Sequence, residues 1–411
     1  MRLIYNLLVS VSWAILHVFA KVNTKLSLFV KGRKQTTTIL KKGLEGGDKV
    51  IWIHAASLGE YEQGLPILEK LKLAYPTHKL LLTFFSPSGY EIKKNTQAAH
   101  VVTYLPMDTK KKVNAFLDAA KPELAIFIKY EIWPNYLAEL NKRDIPTLLV
   151  SALFKKKQVY FKWYGGFMRK ALHTFGHFYV QDENSKALLK SIGIINCSVT
   201  GDTRLDRVSE ILDTDNSLDF MTQFNTTSHC LIAGSTWPED EKILVDYING
   251  STTDMKFVIA PHNIKKEHSQ NLKDSISKPA LLYSEIDSQN LSEISVLIID
   301  TIGLLTKIYS YASIAYVGGG FATGLHNTLE PAVFGIPVII GPKYMGFLEA
   351  EELVALGGVL SIKTREELAE RIDCLKDNKS NRAELGTLNS NYIAKNKGAS
   401  TQIMNTIEKL L

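Results

Sequence analysis

Ser57 and Glu60 stand in S-x-x-E spacing within IHAASLGEYEQG (53–64), directly ahead of an apolar-periodic run. Two chemistries fit that spacing. One is a capping box, in which both side chains tie off the free amides of a helix start. The other is general-base catalysis, since a strand-to-helix turn is where an α/β enzyme can hold a proton-accepting carboxylate. Further on, FIKYEIWPNYL (127–137) brings Lys129 and Glu131 to the mouth of an apolar run. Two charges there cost free energy unless they are satisfied or used. A Lys129–Glu131 surface ion pair is the plainer alternative.

The second half carries the longest motif, YVGGGFATGLHNTLEPAVFGIPVIIGP (316–342). Gly318, Gly319 and Gly320 end a strand, and their missing side chains let a ligand approach the backbone. His326, Asn327, Thr328 and Leu329 then open a helix whose free amides favour an anionic group. Glu330, about one turn in, can accept hydrogen bonds from ribose hydroxyls. The alternative is a glycine turn with no ligand. LIAGSTWPEDEKIL (231–244) places Gly234, Ser235 and Thr236 before an acid-rich helix start. That loop suits a phosphate, or supplies only a cap through Ser235 or Thr236. APHNIKKEH (260–268) sets His262 and Asn263 at another strand end, as contacts for a base or phosphate, and Gly303 has a similar place in IDTIGLLTKIY (299–309).

Positioning these residues needs strands that end beside them. KVIWIHA, KLLLTFF, HVVTYL, ELAIFIKY, PTLLVSA, HFYVQ and CSVTG alternate with helical patterns, and HCLIAGS, KFVIAPH, VLIID, IAYVGGG and PVIIGP form a second series. The alternation predicts parallel, doubly wound sheets in two Rossmann-like α/β domains facing a cleft, with ligands beyond the carboxyl ends of the strands. The expected layout is an anchor and basic linker over 1–42, a first domain over 43–205, a polar linker over 206–228 and a second domain over 229–411.

With 411 residues, 45% of them hydrophobic and 22% charged, the chain can fill two cores. Its three cysteines, Cys197, Cys230 and Cys374, are scattered, and reduced thiols in the cytoplasm are expected. No His/Cys/Asp cluster has metal spacing, and Asp213-Thr214-Asp215 reads as a solvated turn, so no metal is expected. LIYNLLVSVSWAILHVFA (3–20) lacks any formally charged residue, and seven cations without one acid follow between Lys21 and Lys42. The run predicts a membrane anchor, spanning or half-inserted, with the rest of the chain on the cytoplasmic side. A signal peptide or a buried amphipathic helix are the alternatives. KKKQVYFKWYGGFMRK (155–170) mixes cations with aromatics. No nucleic-acid motif accompanies it, so it reads as a surface for phosphorylated lipid, or as a solvated basic helix.

Taken in order, the N-terminal apolar segment, HAASLGE, EIWPN, AGST, DTIG and GGGF…GLHNTLEPAVFGIPVIIGP resemble the 3-deoxy-D-manno-octulosonic acid (Kdo) transferases of lipopolysaccharide synthesis. The resemblance implies a GT-B glycosyltransferase at the cytoplasmic face of the inner membrane. It would move Kdo from CMP-Kdo to a lipid A precursor, lipid IVA, with inversion and with no cofactor. It also implies Glu60 as general base, with Ser57, Gly59, Lys129 and Glu131 near acceptor or Kdo. The CMP site would fall on His262 and Asn263, on Ile302, Gly303 and Leu304, and on Asn327 to Glu330. Other GT-B enzymes using a UDP-sugar, or a non-catalytic nucleotide-binding protein, are the rival readings.

Two positions depart from the family pattern. Pro261-His262-Asn263 stands where many members carry Pro-Arg-His, leaving Lys265, Lys266 or His326 to compensate. Lys129 stands where an acid often precedes Glu-Ile-Trp-Pro-Asn. On the strength of the resemblance, Glu60 is expected to point into the cleft while Ser57 alone caps.

Overall fold

Apolar strands with little alternation belong in parallel sheets covered on both faces, and that is how these runs fold. The computed structural model describes residues 1–227, 229–287, 289–322 and 324–411. Residue 228, the end of the expected linker, and residue 323, inside the long glycine motif, lie outside the described residues. The chain divides into two compact units, Met1–Arg207 with Asn396–Leu411, and Val208–Lys395.

In the first unit the strands are β1 (Lys49–Ala55), β2 (His78–Phe84), β3 (Val101–Tyr104), β4 (Pro122–Ile128), β5 (Thr147–Ala152), β6 (His177–Val180) and β7 (Cys197–Val199). They pair in parallel in the order β3-β2-β1-β4-β5-β6-β7. The direction of winding reverses between β1 and β4, the place where open α/β sheets bind ligands. His54 is the next-to-last residue of β1 and Lys129 follows β4, so the sequence motifs emerge at that switch.

The second unit holds β8 (Cys230–Thr236), β9 (Lys256–Pro261), β10 (Ala280–Leu282), β11 (Val296–Ile298), β12 (Ile314–Val317), β13 (Val338–Ile340) and β14 (Val359–Ser361). Their order is β10-β11-β9-β8-β12-β13-β14, again all parallel. The reversal here lies between β8 and β12, which lead into the Ser235 turn and the triple glycine. β10 and β14 were not expected from the sequence. Each has only three residues and lies at a sheet edge, where a strand needs little apolar pattern.

The expected boundaries differ from these units in two ways. The second domain does not run to residue 411: Ala399–Ile407 is a helix whose Ile403, Met404 and Ile407 sit in the first unit's core beside Leu71 and Tyr179. Residues 1–42 do give an apolar helix long enough to cross a membrane, but the basic stretch after it is a helix rather than a linker. α1 (Arg2–Phe19) and α2 (Thr24–Gly43) both pack on the first unit. Asn23 caps α2 by accepting from Leu26 N at 3.0 Å. Arg33, one of the seven cations of the expected basic linker, is buried in α2. It donates to the Phe29 and Phe85 carbonyls, its guanidinium lies 3.5 Å from the Phe29 ring centroid, and burial lowers its pKa to about 9.

α1 has two distinct faces. Tyr5, Asn6, Val9, Trp13, Leu16, His17 and Ala20 recur at helical spacing and are half-buried. The Tyr5 hydroxyl donates to Asp108 Oδ2 at 2.7 Å, and Asn135 Nδ2 donates to Asn6 Oδ1 at 2.7 Å. Asp108 is wholly buried and also accepts the Asn135 and Tyr136 amides at 3.1 and 3.0 Å. Leu3, Ile4, Leu7, Leu8, Val11, Ile15, Val18 and Phe19 form the opposite, exposed face.

Candidate active site

β1 delivers His54 and then turns through Ala56 and Ser57 into α3 (Leu58–Ala74). Ser57 is the N-cap, extended at φ −137°, and its Oγ accepts the Glu60 amide at 3.5 Å, a weak bond. Glu60 does not point away from the main chain as expected. Its Oε2 accepts the Ala56 amide at 2.5 Å, and the residue is 6% exposed. The bond reaches one residue further back than a capping box requires, because the turn after β1 aims the Ala56 amide at the helix start.

Burial and the neighbouring Glu131 carboxylate raise the Glu60 pKa from 4.5 to about 7, outweighing the Ala56 amide and Lys129, which pull it down. A buried carboxyl beside a like charge is therefore a competent proton acceptor even with one oxygen bonded to the backbone. At Gly59, one position earlier on α3, an added Cβ would meet nothing within 4 Å. That helix start is open to a reacting group.

Glu131 is held from two sides. Trp133 Nε1 donates to its Oε2 at 2.9 Å, and His54 Nε2 lies 3.3 Å from the same oxygen. The Trp52 indole donates to Thr83 Oγ1 at 2.8 Å, and Thr83 Oγ1 lies 2.9 Å from His54 Nδ1. One proton arrangement that satisfies the set has Thr83 O–H donating to His54 Nδ1 and His54 Nε2–H donating to Glu131; the Thr83 carbonyl, 3.1 Å from the same Nδ1, can instead accept from that nitrogen. Lys129 adopts φ 68°, rare for a residue with a side chain, and its amide donates to the Val150 carbonyl at 2.7 Å. It forms no ion pair with Glu131 among the described residues. The surface-pair alternative is thereby replaced by a His54–Glu131 contact.

In the second unit the glycine motif has a different use from the one expected. A Cβ on Gly318 would strike the Ser235 carbonyl and come within 2.6 Å of Thr236 Cα, and one on Gly320 would come within 2.7 Å of the Gly341 backbone. Gly234 gives way to the Tyr309 hydroxyl, and Gly319 (φ 93°) to the Gly324 carbonyl. The room is filled by protein, so these glycines let the ends of β8, β12 and β13 approach each other. Gly318→Ala should lower stability by about 2–4 kcal/mol, read as the shift of the thermal melt.

Asp240, which no motif singled out, pins that junction. Fully buried, it accepts Trp237 N at 2.9 Å, Gly319 N at 2.8 Å and the Tyr316 hydroxyl at 2.7 Å. Trp237, not Ser235 or Thr236, is thus the N-cap residue of the helix Pro238–Gly250. The Thr236 hydroxyl is spent on Glu241 Oε1 at 3.1 Å and is 1% exposed, so it has no hydrogen to offer a phosphate. Ser235, at φ 54°, remains half-buried.

HNTLEPA forms only one helical turn, Leu329–Ala332. The Leu329 amide is taken by Asn327 Oδ1 at 3.1 Å, and the Leu329 and Thr328 side chains are buried. Of the amides expected to be free for an anion there, that of Leu329 is thus occupied. Glu330 accepts from Asn327 Nδ2 at 3.1 Å and from the Thr306 hydroxyl at 3.0 Å, which ties it to the loop of Ile302, Gly303 and Leu304. That loop is open: Ile302 is 81% exposed and Gly303, at φ 93°, has space around it.

Two of the expected ligands, His262 and His326, come together, and Trp237 joins them. The Trp237 and His262 rings stack at 4.7 Å and 17°, and His262 and His326 are also 4.7 Å apart. Asn263 is exposed, its Oδ1 accepting Lys265 N at 3.2 Å. The sequence signal for Trp237 was its place between AGST and Pro238, where only the preceding small residues had been weighed.

Residues 27–207 match the family model described as 3-deoxy-D-manno-octulosonic-acid transferase (kdotransferase). A 3-deoxy-D-manno-octulosonic acid transferase of Haemophilus influenzae is 28% identical over 88% of this chain and 87% of that protein. A bifunctional glycosyltransferase/methyltransferase of Fusobacterium nucleatum is 25% identical over 93% of this chain, which spans only 60% of that relative's length. Among solved structures, UDP-GlcNAc 2-epimerase from Neisseria meningitidis superposes with a TM-score of 0.60 over 88% of this chain and 100% of its own, at 16% identity. That likeness establishes the fold, two Rossmann-like domains of the GT-B type. The family model covers the segment that carries Glu60 and Glu131, and curated relatives of the same description align with most of the chain, so the chain is similar to the 3-deoxy-D-manno-octulosonic acid transferases over most of its length.

Proposed function

We propose that the chain transfers Kdo from CMP-Kdo to a hydroxyl of a lipid A precursor, lipid IVA, with inversion, at the cytoplasmic face of the inner membrane. The observation that carries this reading is Glu60, a buried carboxyl whose pKa is raised to about 7 within the family-matched segment. A base poised near the working pH takes a hydroxyl proton most effectively. The acceptor oxygen then attacks the anomeric carbon while the cytidylate leaves from the opposite face, through an oxocarbenium-like transition state. His54 and Trp133 hold the Glu131 side chain in place, and burial together with this neighbouring carboxylate keeps Glu60 basic.

On the second unit, the rings of Trp237, His262 and His326, with Glu330 and the Gly303 loop, are the donor contacts in this scheme. The departing phosphate needs hydrogen-bond donors rather than a base, and no divalent metal is required. Membrane attachment in this reading is in-plane. α1 keeps its polar stripe on the first unit and turns its leucine-rich face to the bilayer, as interfacial helices do.

Incubation with CMP-Kdo and tetraacylated lipid A precursor, followed by mass spectrometry, tests the reading directly. Product heavier by Kdo is expected, undiminished by excess EDTA. Turnover of UDP-sugars instead, or a requirement for added metal, would overturn the corresponding part.

A further inference from the structure

Trp237 belongs to the ring cluster by geometry, and its chemistry is one-directional. An indole N–H donates and has no lone pair to offer. Its Nε1 lies 2.9 Å from His326 Nε2, so that nitrogen is the bare one and the ring proton of His326 sits on Nδ1. An imidazolium at His326 would set two donors against each other. Burial and the neighbouring His262 already hold His326 toward its neutral form, against a weaker pull from Asp240. Among the described residues, Nδ1 has no protein partner.

Trp237 is itself held firmly enough to impose this choice. Its amide is fixed on the buried Asp240 at 2.9 Å, and its ring lies near-parallel to His262 at 17° and to His326 at 14°. The His326 amide donates to the Gly318 carbonyl at 3.1 Å, which fixes the backbone beneath that ring as well.

We propose that Trp237 is a positioning residue that locks His326 in the Nδ1–H form, leaving a neutral N–H donor for an anionic oxygen of the sugar-nucleotide. This rests on the reading of the second unit as the donor site. A neutral donor gives a grip that does not fade as pH rises past the ordinary histidine range, unlike an imidazolium. It also gives a fixed direction, since the lock leaves one ring nitrogen to donate.

The tautomer is read from the nitrogen shifts of the full chain, labelled with 15N-histidine and free of nucleotide, with His326→Gln identifying the signal. The expected spectrum shows His326 protonated at Nδ1 from about pH 6 to pH 8. Trp237→Phe keeps a stacking ring and removes the donor. It should convert His326 to a mixture containing the Nε2–H form, and raise the KM for CMP-Kdo roughly tenfold with kcat changed less than about twofold.

A wild-type His326 protonated at Nε2, or a tautomer unchanged in Trp237→Phe, would overturn the proposal. Should that variant not fold, the wild-type spectrum alone decides. Because the spectra need no substrate, they stand or fall separately from the identity of the donor, which the product assay settles.

Discussion

Glu60→Gln is expected to lower Kdo transfer by about 10²–10⁴-fold while leaving the protein folded. Glutamine can still accept the Ala56 amide but cannot take a proton from an alcohol. The pH dependence follows from the raised pKa. As base, Glu60 must be ionised, so kcat/KM should climb as pH rises through about 7 and then level off. Stability runs the other way. A carboxyl whose pKa is higher folded than unfolded favours the native state below about 4.5, and that contribution is lost as pH rises through about 7. The Gln variant, which has no charge to bury, should therefore melt no lower than the wild type at pH 8. An inactive variant that also melts much lower would make Glu60 a cap and nothing more.

Leu7→Glu with Leu8→Glu should release the protein from anionic vesicles. Both side chains lie on the exposed face of α1, 64% and 60% accessible, so the change touches no internal packing. Burying a leucine is worth about 2 kcal/mol, so removing two should weaken partitioning roughly a thousandfold. Co-sedimentation with vesicles reads this, and the thermal melt of the detergent-free variant checks that the fold survives. Undiminished sedimentation would move the attachment elsewhere, the exposed Trp163 and Tyr164 being the next place to mutate.

Periodicity alone located most of the strands, because parallel strands buried on both faces are written as uninterrupted apolar runs such as Ile51–Ile53 and Leu80–Leu82. The short edge strands β10 and β14 escaped because so few residues carry no period. Tyr5 and Asn6 lie inside the run read as a membrane anchor, and only the distant Asp108 and Asn135 give those polar groups a purpose. Such pairings are invisible to a reading confined to neighbours in sequence.

The site was legible in part for the same reason. Strand ends are local, so His54, Glu60, Glu131 and His262 could be placed. What each does there depends on partners far along the chain. Glu60 was expected to choose between backbone and catalysis because its spacing fits both roles. What decides is burial and then Glu131, which the turn after β4 carries in beside it. The glycines read as an opening because an absent side chain looks the same whether ligand or backbone fills the space. Asp240 and Trp237 both lie within LIAGSTWPEDEKIL, but an acid near a helix start is ordinary until its partners, Gly319 and Tyr316, are brought to it by the fold.

The helix Ala399–Ile407 closes the core of the unit that begins the chain, although a whole second unit intervenes. Residues 208–395 are in effect an insertion within a discontinuous host. Excising that insert yields a contiguous fragment, whereas a cut after residue 207 strips the host of Ile403, Met404 and Ile407 and bares the apolar surface around Leu71 and Tyr179. The first unit therefore cannot finish folding until Ala399–Ile407 has been synthesised, and damage to that helix is felt there rather than in the unit that precedes it.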